Sequence, residues 1–243
     1  MPAALLIDFG STYTKLTSID LDEEVILGRA QSPTTVQTDI TIGLQAAMEK
    51  LERQTGPRRY SIRLGCSSAA GGLRMVTVGL VPDLTAEAAR RAALGAGAKV
   101  IGVYSYDLSA GELHAIEEMK PDLILLSGGT DGGNKDVIIH NARRLAERAL
   151  SVPIIAAGNK AAADDVARTL RSAGKEVIVT DNVMPEIGVI KVDAAREAIR
   201  KVFIERIVEA KGLKRAESRL DGILMPTPTA VLRAAEVLAR GAG

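Results

Sequence analysis

The residues whose types best suit chemistry stand near the start, in Leu5-Leu6-Ile7-Asp8-Phe9-Gly10-Ser11-Thr12-Tyr13-Thr14-Lys15. An apolar run delivers Asp8 to its end, and Gly10 turns the chain into a second run. A Gly-Ser-Thr tip offers backbone N–H groups and hydroxyls in a concave cluster that suits phosphate oxygens. Glycine there allows close approach of backbone to ligand. Asp8 would face a hydrated magnesium ion, which keeps its waters and takes few carboxylates. Lys15 either supplies a point charge or points to solvent. A plain β-hairpin with a polar turn is the competing reading. The place of the tip, on the first of three antiparallel strands, favours phosphate.

A second cluster, Ser127-Gly128-Gly129-Thr130-Asp131-Gly132-Gly133, follows an apolar strand and precedes a helical pattern. Open α/β sheets bind ligands where strands end, and glycines beside helix N-terminal amides suit an anion. The segment has neither Gly-Lys-[Ser/Thr] nor G-x-G-x-x-G, so it is no Walker A loop and no dinucleotide fingerprint. A tight turn with Asp131 or Asn134 as helix cap explains it equally well. A third segment, Gly222–Val231, reads as a strand entering a small-residue helix through Pro226-Thr227-Pro228-Thr229. Cys66 is the single cysteine, which excludes a disulfide framework or cysteine metal site within the chain. His114 and His140 lie at no ligand spacing and read as ordinary helix residues.

These residues need particular elements to hold them. Ala3–Phe9, Tyr13–Leu21 and Glu24–Ala30 are rich in β-formers and joined by short turns, which makes an antiparallel meander. Apolar residues near a 3.6 period predict a helix over Thr38–Arg53, and a strand follows at Tyr60–Ser67. The order β-β-β-α-β begins a ribonuclease-H-like core. From about Thr85 the rhythm becomes strict alternation: helices at Thr85–Leu94, Ala110–Met119, Lys135–Leu150 and Ala161–Ala173, strands at Lys99–Tyr104, Asp122–Leu126, Val152–Ala156 and Glu176–Thr180. That pattern predicts a doubly wound parallel sheet. The expected organisation is a ribonuclease-H-like lobe from 1–80 and 185–243, with an inserted Rossmann-like α/β unit at 81–184. The last part holds a helix at Asp193–Lys211, a strand at Gly222–Met225 and a helix at Thr229–Arg240.

Bulk composition narrows the classes of function. Lys and Arg total 31 and Asp and Glu 30, for a net charge of +1. Such balance argues against a nucleic-acid or membrane-surface partner. Aromatics are 2% of the chain, with no tryptophan, which leaves little to stack bases. No signal peptide or membrane-length apolar run is visible, so a soluble, cytoplasmic protein is expected.

The segment 5–15 resembles the first phosphate motif of the actin/Hsp70/sugar-kinase superfamily. The segment 222–231 is similar to the hinge of Hsp70-like proteins, with Thr227 standing where that pattern has a glutamate. Further stretches narrow the resemblance: Cys66–Leu80, Leu84–Ala89, Ala93–Val100 and the Ser-Gly-Gly-Thr-Asp-Gly-Gly loop. Together they resemble the MutL family associated with glutamate mutase, also called GlmL, which is unrelated to the mismatch-repair protein of that name. The resemblance covers nearly all of the chain but about the first half of a typical member. It implies an ATP-dependent, chaperone-like reactivating factor for an adenosylcobalamin-dependent mutase, with ATP and Mg as cofactors and a second lobe beyond residue 243. It also implies Asp8, Gly10, Ser11, Thr12 and Thr14 as the first phosphate hairpin. No hydrolytic base is carried over. Three alternatives stay open: a small-molecule kinase of the same superfamily, a non-enzymatic nucleotide- or cobalamin-binding module at 81–184, and a purely structural partner protein. The cobalamin variant lacks D-x-H-x-x-G.

Overall fold

The computed structural model describes residues 2–35, 38–68, 72–94, 96–209, 220–221 and 223–241. The chain falls into two compact units, Met1–Gly72 with Phe203–Gly243, and Leu73–Val202.

In the first unit, β1 (Ala3–Phe9), β2 (Tyr13–Asp20) and β3 (Val25–Pro33) form the expected meander, and α1 (Ile40–Thr55) follows. β4 (Ile62–Ser67) and β10 (Ile223–Pro226) complete a five-stranded sheet in the order β10-β4-β1-β2-β3. β1, β4 and β10 run parallel, and β2 is antiparallel to both its neighbours. This is the ribonuclease-H-like sheet of an actin-like first lobe. Strand alternation decides which residues face which way. Leu5, Ile7, Phe9, Thr14 and Leu16 are buried, as are Ile40, Leu44, Ala47 and Leu51 of α1. The intervening residues Leu6, Asp8, Lys15 and Thr17 belong to the other face. Helix α1 begins where the Asp39 carboxylate accepts from the Thr41 amide at 2.8 Å, and ends at Gly56.

The second unit alternates throughout: β5 (Leu73–Gly79), α2 (Pro82–Ala93), β6 (Ala98–Ser105), α3 (Ala110–Met119), β7 (Leu123–Leu126), α4 (Asp136–Ala146), β8 (Ile154–Ala156), α5 (Ala163–Ser172) and β9 (Val177–Val179). Its strands are all parallel, in the order β6-β5-β7-β8-β9. One face packs Val76, Val78, Ile124 and Leu126 against Leu113, Ile116, Ile138, Leu145, Val166 and Leu170 from α3, α4 and α5. Ala88, Ala89 and Ala92 of α2 are also buried. Helix α6 (Asp193–Glu209) starts beside α2, where Arg196 Nη2 donates to the Arg91 carbonyl at 3.0 Å.

The unit therefore begins and ends outside the expected 81–184. Its first strand, β5, which lies between β6 and β7 in the sheet, falls in a stretch from which the sequence predicted no strand. Every residue of β5 except Arg74 is buried, so the strand shows no period-two alternation to read. The final helix, α7 (Thr227–Arg240), begins two residues earlier than expected. Pro228 sits in its first turn, where a missing N–H costs nothing.

Candidate nucleotide site at the end of the first strand

Asp8 lies near the carboxyl end of β1. It pairs with Lys15 on β2 and with Cys66 on β4. All three side chains share one face of the sheet, and Thr227, at the start of α7, joins them. Thr227 Oγ1 donates to Asp8 Oδ1 at 2.8 Å, and the Cys66 thiol reaches the same oxygen at 3.6 Å. Asp8 Oδ2 is 3.6 Å from Lys15 Nζ. Lys15 is well exposed, so this ion pair adds little stability. The carboxylate is thus held from both sides of β1. It borders a groove of about 330 Å³ that runs past Leu6, Thr17, Leu64, Met225 and Ala230.

Burial pushes the Cys66 thiol up, and the Asp8 charge adds to this against the lowering effect of the Thr227 hydroxyl. The thiol stays protonated at neutral pH and serves as a weak donor.

The hairpin tip lies next to Asp8. The Gly10 amide donates to the Tyr13 carbonyl at 3.1 Å, and the Thr34 amide to the Thr12 carbonyl at 2.8 Å. A Cβ at Gly10 would stand 2.7 Å from the Tyr13 oxygen, so this turn closes only on glycine. Ser11 and Thr12 are exposed. Thr14 is different. Its side chain is fully buried on the opposite face, with Oγ1 3.0 Å from Thr34 Oγ1. The structure thus brings Asp8, Gly10, Ser11, Thr12 and Lys15 to one end of the sheet and turns the Thr14 hydroxyl away. Alternation along β2 is the reason. Cys66 was not singled out from the sequence; the parallel register of β1 and β4 would have pointed to it.

A magnesium ion and phosphates fit what is present: Asp8 keeps acceptor capacity on a partly exposed carboxylate, and the exposed Ser11 and Thr12 stand at the tip next to it. Among the described residues, no cluster of three or more His, Cys, Asp or Glu could hold a metal ion directly.

In the second unit the Ser127–Gly133 loop follows β7. Asn159 organises it, donating to the carbonyls of Gly133 at 3.0 Å and Asn134 at 3.1 Å. Its Oδ1 accepts from the Gly132 and Ala161 amides. Asn182 Nδ2 donates to the Gly129 carbonyl at 3.0 Å and to Asp131 Oδ1 at 2.9 Å. Burial acts to raise the Asp131 carboxyl, but the Lys160 amide, Asn182 and the Lys160 charge outweigh it and hold it below the usual carboxylate range.

A ribonuclease-H-like sheet ending in a carboxylate and a glycine hairpin, and interrupted by a parallel α/β unit, defines the class: an actin-like first lobe with an insert. Comparison with known proteins gives the family. The chain belongs to the MutL protein family, whose model matches residues 4–243. It is 55% identical to "Protein MutL" of Clostridium tetanomorphum, a match covering 99% of this chain and 53% of that protein. The chain therefore spans about half the length of that curated relative. Two solved structures align at low similarity. One is an activator of 2-hydroxyisocaproyl-CoA dehydratase from Clostridium difficile with bound ADPNP, at 15% identity and TM-score 0.24, covering 86% of this chain and 98% of that one. The other is the ethanolamine utilization protein EutJ from Carboxydothermus hydrogenoformans, at 16% and 0.20, covering 82% and 90%. Among the described residues, no helix is long and apolar enough to cross a membrane.

Proposed function

We propose that this chain is the N-terminal part of an ATP-binding protein that serves an adenosylcobalamin-dependent mutase, glutamate mutase or a related aminomutase, as an ATP-driven reactivating partner. The ATP reading is carried by the Asp8 carboxylate, fixed by Thr227 beside a hairpin tip with exposed Ser11 and Thr12. Asp8 would hold magnesium through its waters, and Gly10, Ser11 and Thr12 would take phosphate oxygens. Magnesium supplies charge neutralisation on the phosphates. The chain's own contribution is orientation: the Thr227 hydroxyl sets the carboxylate rotamer, and Lys15 balances its charge. Thr14 contributes through packing rather than contact.

The mutase assignment rests on membership of the MutL family. A second lobe, which would hold the nucleotide from the other side, is supported by α7. Val231, Leu232, Val237 and Leu238 are all exposed there, at 45–84%, and the curated relative is about twice as long.

Calorimetry of Mg-ATP binding tests the first half, on this chain and on a chain of the relative's full length, each with Asp8 and with Asp8→Ala. Binding by the longer form that is lost with Asp8→Ala is expected. No binding in either form sinks the ATP reading. For the partner, mutase inactivated during turnover should regain activity with the full-length protein and ATP, but not with Asp8→Ala. Equal recovery without the protein removes the reactivation role.

A further inference from the structure

We infer that the second unit binds a small, uncharged, largely apolar ligand, in a pocket of about 360 Å³ at the carboxyl ends of β5 and β7. The inference stands apart from the ATP reading, because every residue lining this pocket belongs to the second unit.

Topology comes first. β6 lies on one side of β5 and β7 on the other, so the chain reverses its direction of travel across the sheet between them. The loops after β5 and β7 must part at that point, and open parallel sheets bind ligands in the crevice so formed. The pocket occupies it. Leu80 and Val81 enter from the β5–α2 connection, Leu84 from the first turn of α2, and Ser127–Thr130 from the end of β7. Val183, Met184 and Ile187 come from the segment after β9.

The pocket is also pre-formed. Asn182, only 5% exposed, ties the third segment to the second through Gly129 and Asp131, and accepts from the Met184 amide at 3.0 Å. Asn159 locks the remainder of the loop. Such bracing lowers the ordering cost a ligand would otherwise meet.

The lining sets the class of ligand. No lining residue carries a charge. A phosphate or carboxylate would lose water there without a counter-charge in return, which is costly. Three amides beside the loop already have partners: Lys160 donates to Asp131, Ala161 to Asn159, and Val137 to Asn134. The walls are aliphatic, and Val81 and Ile187 remain 42% and 87% exposed at the rim, uncovered apolar surface that a ligand would remove from water. Thr130 and Asn134 offer hydrogen-bonding groups to a single polar atom of the ligand. A volume of this size lies at the lower end of small-molecule pockets.

The test is a ligand-observed NMR titration of the whole chain with indole, and with indole-3-acetate as its charged counterpart. Ile187→Asp changes a side chain at the surface, and Leu84→Trp fills the pocket, with circular dichroism to check folding. Saturable indole binding is expected, weakened at least about tenfold by either variant and unchanged by Asp8→Ala. Indole-3-acetate should bind at least about tenfold more weakly than indole. Any of four results overturns the inference: no saturation by indole, binding indifferent to both Ile187→Asp and Leu84→Trp, loss with Asp8→Ala, or indole-3-acetate binding as well as indole.

Discussion

Both units place a candidate site where parallel strands end, and they build it from different materials. In the first unit side chains from β2, β4 and α7 converge on the Asp8 carboxylate of β1, and the surrounding groove tolerates exposure. In the second a loop backbone, held by two asparagines and by glycines at positive φ, borders a pocket with aliphatic walls. A charge placed on a strand can be deleted with little effect on the sheet beneath it. A loop held by internal hydrogen bonds cannot lose a member without losing its shape. Function and stability should therefore separate in the first unit and move together in the second.

The sharpest way to break that contrast is at the loop. Gly129 has φ +72°, and a Cβ there would run into the Asn134 carbonyl. Gly129→Ala should destabilise the second unit by about 3 kcal/mol, read by denaturant unfolding. Asn159→Asp, which sets a carboxylate against two carbonyls, should do similar damage. Next in size, Asp8→Ala in a full-length protein should weaken Mg-ATP binding roughly 10- to 100-fold and leave the unfolding midpoint unchanged. A matching fall in stability would end the contrast. Thr227→Val removes only the hydroxyl that orients Asp8 and should cost a few-fold in ATP affinity, about 1 kcal/mol. Smaller again, Asp8→Asn removes the charge that helps raise the Cys66 thiol, so iodoacetamide should alkylate Cys66 about threefold faster at pH 8. An unchanged rate would mean that burial alone protects it.

The smallest effect concerns pH. Asp131 has a lowered value in the fold, so its contribution is complete above the ordinary aspartate range, about pH 4. It is lost as pH falls through the folded value and the carboxylate takes a proton. The stability advantage of the natural protein over Asp131→Asn should be larger at pH 6 than at pH 3.

Much of this was legible in the sequence, for physical reasons that differ by region. The meander and the hairpin tip showed because β1 is an apolar run rich in β-formers that ends in a glycine turn to a second such run, β2. The parallel strands β6 to β9 showed because helices with capping signals separate them, Ser109 and Glu112 forming a capping box before α3. β5 did not show, because a strand buried on both faces and preceded by Ala69-Ala70-Gly71-Gly72 carries neither alternation nor a helical period. Its absence displaced the expected start of the second unit. The Asp8–Cys66–Thr227 contact was hidden for another reason: it joins positions 58 and 219 residues away from Asp8 in sequence, and no local pattern encodes a register. The pocket in the second unit was hidden likewise, since Asn182 and Val183 lie far along the chain from the glycines they meet.

The late arrival of β10 also gives the newborn chain a timetable. On the ribosome, β1 to β4 emerge first, but β4 keeps a raw edge until Ile223 can pair beside Gly65. All of Leu73–Val202 is made in the interval, and that unit can close its own sheet while the first is still waiting. Thr227 follows β10 immediately, so Asp8 gains its hydrogen-bond partner only after Leu73–Val202 has been made. Nucleotide binding through Asp8 would then report that the chain between had already been made.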